Sequence, residues 1–343
     1  MEGLIGELEQ AALQTEFSGV ISIYRGASTV YDRAFGYRDI KNKLPNRTST
    51  RFGIASGTKL FTALGIGRLI DEGVISLETS VGELDKSYAR FIDPHATILQ
   101  LLTHTSGIYD YYDEELNRDP DQFFVEIPWY RLETPTDYYP LFKDRPLKFQ
   151  PGSRYSYSNG GYVFLGMLIE KLAGRLYRDF IQEHVLQVAG MHNSGFYALN
   201  DLPENTAIGY LEDRHTSNIF NIPIRGGGDG GMFTTTADLH SLWNRLMTHT
   251  IISKELTGVF LGTHHRFDDT SGYGCGIYKR LDGSMYAIVG GDAGVGFDSR
   301  YVCADKVTIS ILSNITNGEE AIREVVMGFL RDTKPAPCLQ ERV

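Results

Sequence analysis

The sequence predicts an α/β (α+β) fold: one antiparallel sheet flanked by helices, with an all-helical lobe inserted into it. Three observations carry this. Strand-forming segments sit at the two ends of the chain, at 17–35 and from 273 to 312. The stretch between them reads mostly as helices and long loops. The run 60–70 is apolar almost all round, as in a helix buried between layers. The simplest assembly is a single sheet built from both ends with helices packed on it. Residues 1–75 and 225–343 are therefore expected to form the sheet domain, and 76–224 the helical lobe.

The elements follow in order. Residues 2–15 predict an amphipathic helix. Segments 17–24 and 28–35 are β-rich and are joined by Arg25-Gly26-Ala27, a hairpin signal. A polar loop, 41–50, leads to the buried helix, which ends at Asp71-Glu-Gly73 with glycine in the usual stop position. Short helices over 96–105 and 162–172 close at Ser106-Gly107 and Gly174. A helix over 236–248 follows Gly231. Strands are expected at 273–280, 285–289, 297–304 and 307–312, and a helix over 319–330 closes the chain.

Composition sets outer limits. The 343 residues are 42% hydrophobic and 22% charged, enough for a large core and two lobes. A net charge of −10 argues against nucleic acid or an anionic membrane face as partner. No apolar run reaches transmembrane length. The acidic start, Met-Glu-Gly-Leu-Ile, does not resemble a signal peptide, so a cytoplasmic location is expected, or export if a leader has been trimmed. Cys275, Cys303 and Cys338 lack metal-type spacing and are expected to be reduced structural thiols. No cofactor or metal is expected. His264-His265 beside Asp268-Asp269 lies on a polar loop, a poor metal site. The run Gly226 to Gly231 lacks the Gly-Lys-Ser/Thr of a phosphate loop and reads as a close backbone pass near a cleft. The oligomeric state is left open.

Chemistry enters at Ser56-Gly-Thr-Lys59, which opens the buried helix. Residues three apart share a helical face, so Lys59 can lie beside Ser56. Burial pushes a lysine toward its neutral form, and a neutral amine can take the proton of a serine nucleophile. The structural alternative is a capping serine and a lysine that snorkels to solvent. Tyr157-Ser-Asn159 precedes a second helix. Its phenol could relay a proton to or from Ser56, and Asn159 could hydrogen-bond a substrate amide; alternatively, Asn159 caps the helix. A glycine-rich stretch, Val289-Gly-Gly-Asp292-Ala-Gly294-Val295, lies between two expected strands, where backbone could approach a ligand or simply turn.

Taken together these motifs resemble the penicillin-recognising serine hydrolases: class C β-lactamases, DD-peptidases and β-lactamase-fold esterases and amidases. That family has Ser-x-x-Lys on a central helix, then Tyr-x-Asn in a helical lobe, then Lys-x-Gly or His-x-Gly on a strand. Leu101-Leu-Thr-His104-Thr-Ser-Gly107 and Gly230-Gly-Met-Phe-Thr-Thr-Thr-Ala-Asp238 also look like family landmarks. The resemblance implies a β-lactamase/transpeptidase-like fold and an acyl-enzyme mechanism on an ester or amide of a small molecule or peptide. Ser56 would be the nucleophile, Lys59 its base and Tyr157 the second proton-transfer group. Asn159, Asp292, Gly294 and Val295 would bind substrate, with the Ser56 and Val295 amides as oxyanion hole.

The third motif departs from the family. Asp292 stands where a lysine or histidine is usual, and would oppose a substrate carboxylate. Two like charges about 4 Å apart at an effective dielectric near 20 repel by roughly 4 kcal/mol. Arg225 and Arg300 are the arginines that could compensate. The segment 109–144 carries ten Asp or Glu against three Lys or Arg, with ten aromatic residues. Such a wall suits a neutral or cationic substrate; the alternative is a solvated loop whose aromatics pack on the lobe. The leading expectation is an esterase or amidase. A DD-peptidase or weak β-lactamase is second, and a non-catalytic binding or sensing protein of the same fold third.

Overall fold

The opening hairpin is stitched to the end of the chain. The computed structural model describes residues 2–117, 119–333 and 336. In it, β1 (Gly19–Arg25) pairs with β2 (Ser28–Phe35), then come β3 (His265–Arg266), β4 (Ser271–Tyr273), β5 (Tyr278–Arg280), β6 (Met285–Asp292), β7 (Val295–Val302) and β8 (Val307–Ser313). These eight form one antiparallel sheet in the order β2-β1-β8-β7-β6-β5-β4-β3. The sheet built from both ends is therefore present as predicted. One expected strand is two: residues 273–280 fold back where the Gly274 amide donates to the Ile277 carbonyl at 2.8 Å, with Gly276 at φ 73°.

The main helices are α1 (Glu2–Gln14), α2 (Thr58–Asp71), α3 (Asn159–Ala173), α4 (Thr236–Met247) and α5 (Glu320–Thr333). Alternate strand residues serve two cores, as a period of two requires. Ile21 and Ile23 of β1 and Ile309 and Ile311 of β8 meet Leu8 of α1 and Val326 of α5. On the opposite face, Val20, Phe297 and Leu312 join the core of Leu64 in α2, Leu168 in α3 and Trp243 in α4. Two hydroxyls buried there are paired: Trp243 Nε1 donates to Ser299 Oγ at 2.9 Å, and Ser299 pairs with Ser310 at 2.8 Å.

Helix α2 is buried from Thr58 through Gly67, as its all-round apolar pattern predicts. Gly73, at φ 72°, follows its end. Helix α3 starts three residues earlier than the apolar pattern suggests, because the Ser158 hydroxyl caps it by accepting the Gly161 amide at 3.0 Å. Gly174 closes it in the left-handed conformation. Cys275 is a buried free thiol, but Cys303 is disulfide-bonded, which corrects the expectation of reduced thiols; Cys338 lies outside the described residues. Among the described residues no helix is long and apolar enough to cross a membrane.

Candidate active site

Ser56 lies in a single 3-10 turn (Ala55–Gly57) that runs straight into α2. Its neighbour Ala55 holds φ 42°, a left-handed conformation that costs an L-residue roughly 1–2 kcal/mol. One helical turn on, Lys59 is only 1% exposed. Its Nζ donates to Ser56 Oγ at 2.9 Å, to Asn159 Oδ1 at 2.7 Å and to the Asp229 carbonyl at 2.8 Å. Those three acceptors match the three protons of an ammonium. Burial pushes the amine below its ordinary value, and Asp229, Glu114, Asp110 and Asp292 pull it back up. The snorkelling alternative does not hold: this lysine points into the protein.

The Tyr157 ring sits 4.8 Å from Lys59 Nζ, and Ser56 lies near enough to its hydroxyl to favour the phenolate slightly. Burial first, and the nearby Glu114 charge second, push this phenol well above its usual range, so it keeps its proton. His104 packs against it with centroids 4.5 Å apart. The same imidazole accepts the Ser158 amide on Nδ1 at 3.0 Å and meets the Tyr273 hydroxyl through Nε2 at 3.1 Å. Burial and the Lys59 charge keep His104 neutral.

Asn159 is fixed from both ends. Its amide N–H and that of Gly160 donate to Asp110 at 3.0 and 2.9 Å, while its side-chain Nδ2 reaches the Tyr112 carbonyl at 2.8 Å and Glu114 at 3.2 Å. A carboxylate at the first amides of a helix is favourably placed. Burial nevertheless raises Asp110 to about 7, against the three N–H groups that lower it.

Strand β6 passes Ser56 at Gly290. A Cβ at that position would collide with the Ile54 carbonyl and lie 2.9 Å from the Ser56 nitrogen, so glycine is needed for the approach. Asp292 pairs with Val295 across the two-residue turn that joins β6 to β7. The Val295 amide therefore faces its own hairpin, which does not suit the oxyanion role expected for it. Gly294 donates to Thr316 Oγ1 at 2.7 Å, and Asn218 holds the Ala293 carbonyl at 2.8 Å, so this turn is docked against Thr316 and Asn218. Pairing with β5 covers only Tyr286 and Ala287, and beyond them the outer edge of β6 is open.

A cavity of about 270 Å³ adjoins Ser56. Asn159, Asp229, Gly291, Asp292, Gly294 and Val295 all line it, with Tyr111, Tyr112 and Tyr138 from the aromatic segment. That segment does both things expected of it: Tyr112 faces the cavity and stacks on Phe123 at 4.0 Å, while Trp129 is buried in the lobe. Asp229, within the glycine run, accepts the Tyr111 hydroxyl at 2.5 Å. Burial raises both Asp229 and Asp292, the latter to about 7, and Asp229 and Glu114 oppose the ionisation of Asp292. Arg300 pairs with Asp298 and Arg225 with the Phe196 carbonyl, and neither lines this cavity. Asp110, Glu114, Asp229, Gly290 and Gly291 are the site residues that sequence reasoning did not single out. Among the described residues no group of three His, Cys, Asp or Glu is placed to hold a metal ion.

A serine and a buried lysine at the head of a sheet-backed helix, met by a tyrosine and an asparagine at the head of α3, mark the β-lactamase/transpeptidase class of fold. The chain belongs to the beta-lactamase family, whose model matches residues 6–326. The crystal structure of a penicillin-binding protein from Bacillus halodurans superposes with a TM-score of 0.88 at 34% identity, covering 94% of this chain and 99% of that one. A penicillin-binding protein of Bacillus subtilis (strain 168) is 31% identical over 255 residues, 70% of this chain; the match spans only 54% of that relative. A teichoic acid D-alanine hydrolase of Staphylococcus aureus is 23% identical over 327 residues, 93% of this chain and 76% of that protein.

Proposed function

We propose that the protein is a serine hydrolase that works through an acyl-enzyme on an ester or amide. The observation that carries this is the contact of Ser56 Oγ with Lys59 Nζ at 2.9 Å, with the Tyr157 ring 4.8 Å from the same amine. Lys59, once neutral, takes the Ser56 proton as Oγ bonds to the substrate carbonyl carbon. The tetrahedral intermediate expels the alcohol or amine, which takes the Tyr157 proton, and Lys59 returns one to the phenol. Water then attacks the acyl-serine with the same groups in reverse.

The second oxyanion donor in this reading is Gly291, not Val295. With Asp292 and Val295 closing the hairpin, the amides of Gly290 and Ile288 face β7, and those of Val289 and Gly291 face the open edge. The Ser56 amide beside Gly290 supplies the first donor.

Asp292 and the acidic cavity favour an esterase or amidase, and the likeness to a D-alanine hydrolase is in keeping with an aminoacyl substrate. The penicillin-binding relatives at 34% and 31% identity support a second reading, a DD-peptidase or weak β-lactamase. Against it, Lys41 is the one lysine or arginine among the described residues that line the cavity, leaving little to hold a substrate carboxylate. Wild type and Ser56→Ala should be compared on p-nitrophenyl esters, aminoacyl p-nitroanilides and a fluorescent penicillin, with intact mass to detect the acyl adduct. Turnover or label lost in the variant supports the hydrolase, and the preferred reagent gives its class. Activity that survives Ser56→Ala refutes the mechanism, and silence on all three favours a binding protein.

A further inference from the structure

We propose that Asp292 anchors a protonated α-amine on the acyl half of the substrate, which makes aminoacyl esters or amides with a free amino group the substrate class. This rests on the hydrolase reading above.

The cavity beside Ser56 is short of positive charge. The charges that bear on Asp292 are Asp229 and Glu114, which oppose its ionisation, and Lys59, which favours it. Lys59 already spends its three donors on Ser56, Asn159 and the Asp229 carbonyl. The bond in place at the Asp292 side chain is a weak claim on it: the adjacent Ala293 amide donates to Oδ1 at 2.9 Å. An ammonium in the cavity balances these carboxylates, whereas a substrate carboxylate adds one more like charge. The rings of Tyr111, Tyr112, Tyr138 and Tyr210 that line the same space add favourable faces for a cation.

Chain geometry puts the anchor on the acyl side. Asp292 directly follows Gly291, the proposed oxyanion donor, and both line the cavity with Ser56. In an aminoacyl group the amine is two bonds from the carbonyl carbon under attack, so a group one residue along the strand is suitably close. A cation arriving here has a second effect. It weakens the carboxylate field that keeps Lys59 charged, and so favours the neutral amine that the nucleophile needs.

The test compares alanyl p-nitroanilide, in both enantiomers, with its des-amino analogue propionyl p-nitroanilide. Wild type should favour the alanyl substrate by at least 30-fold in kcat/KM for one enantiomer. Asp292→Asn, close in shape and uncharged, should bring that ratio below about 3, and Asp292→Glu should restore part of it. A wild-type ratio near one, or a ratio unchanged in Asp292→Asn, overturns the proposal. Failure of the hydrolase reading looks different: neither substrate turns over and no adduct forms on Ser56. Binding then decides, by calorimetric titration of Ser56→Ala and Ser56→Ala/Asp292→Asn proteins with alaninamide and propionamide. Alaninamide bound at least 10-fold more tightly, with the difference lost in the double variant, upholds the amine anchor; equal binding overturns it.

Discussion

Asp110 grips Asn159 and Gly160 through their backbone amides, at 3.0 and 2.9 Å, and Asn159 in turn holds Lys59 at 2.7 Å. A buried carboxylate one step removed from the chemistry thus sets where the amine sits. Asp110→Ala leaves those amides unpaired in a buried place, at a cost on the order of 1–3 kcal/mol. We expect a lower urea midpoint together with a fall in kcat of about tenfold or more at little changed KM. A variant that loses stability alone, with kcat intact, would show that Asp110 supports α3 without positioning Lys59.

As the proposed base, Lys59 would have to lose a proton before acting, and its burial lowers the pH at which that happens. The active fraction therefore rises with pH toward a plateau reached earlier than for an ordinary lysine. The acid limb of the kcat/KM profile reads this directly. Lys59→Ala should remove about three decades of activity or more, and Lys59→Arg should not restore it, since a guanidinium stays charged. A profile whose acid limb is identical in a slow but active Lys59 variant would count against the lysine as base.

Gly290 and Gly291 make opposite predictions although they are neighbours. An added methyl at 290 strikes the Ile54 carbonyl and crowds the Ser56 nitrogen, whereas at 291 nothing lies within 4 Å. Gly290→Ala should destabilise the fold by about 1–3 kcal/mol and depress turnover. Gly291→Ala should melt with the wild type. Equal melting of both variants would mean that β6 does not pass the nucleophile as described.

Stability carries a pH signature of the acid cluster. Asp292 titrates at about 7 in the folded protein, against roughly 4 in an unfolded chain. Between those values the folded state keeps a proton that the unfolded state has released, so this contribution is present at low pH and is lost as pH rises through about 7. Asparagine cannot ionise. The stability of Asp292→Asn relative to wild type should therefore increase from pH 5 to pH 8, by about 1–2 kcal/mol after solvent screening. Denaturation curves at the two pH values measure it, and parallel profiles would place Asp292 in a more hydrated setting.

The parts legible in the sequence are those with a period or a fixed spacing. Helix α2 announced itself by apolar residues on every side, and Ser56 and Lys59 by their interval of three on it. Tyr157 and Asn159 stand out through the family resemblance, whose Tyr-x-Asn they match, because locally they read equally as a capping turn and nothing reveals that Asn159 reaches Lys59. Asp110, Glu114 and Asp229 gave no such signal: each is one acid among many in irregular segments, and only the folded chain gathers them. The third motif failed for a related reason. Seven residues of glycine, alanine, valine and aspartate can be threaded onto a strand in several registers. The register was decided by where backbone could approach Ser56, so Gly290 took that place and the turn fell at Ala293 and Gly294. Strand 273–280 was broken by the same kind of hidden demand, a positive φ at Gly276.

That broken strand matters beyond its own geometry. The tip between β4 and β5 is tucked under α2, with Gly276 close against Lys59 and Leu60, and does not continue alongside β6. Had it run on for four more residues in the same register, main chain would have lain opposite Gly291 and filled the slot beside Ser56. A single glycine hinge in an interior ladder thus keeps the mouth of the catalytic chamber from being zipped shut by the protein itself.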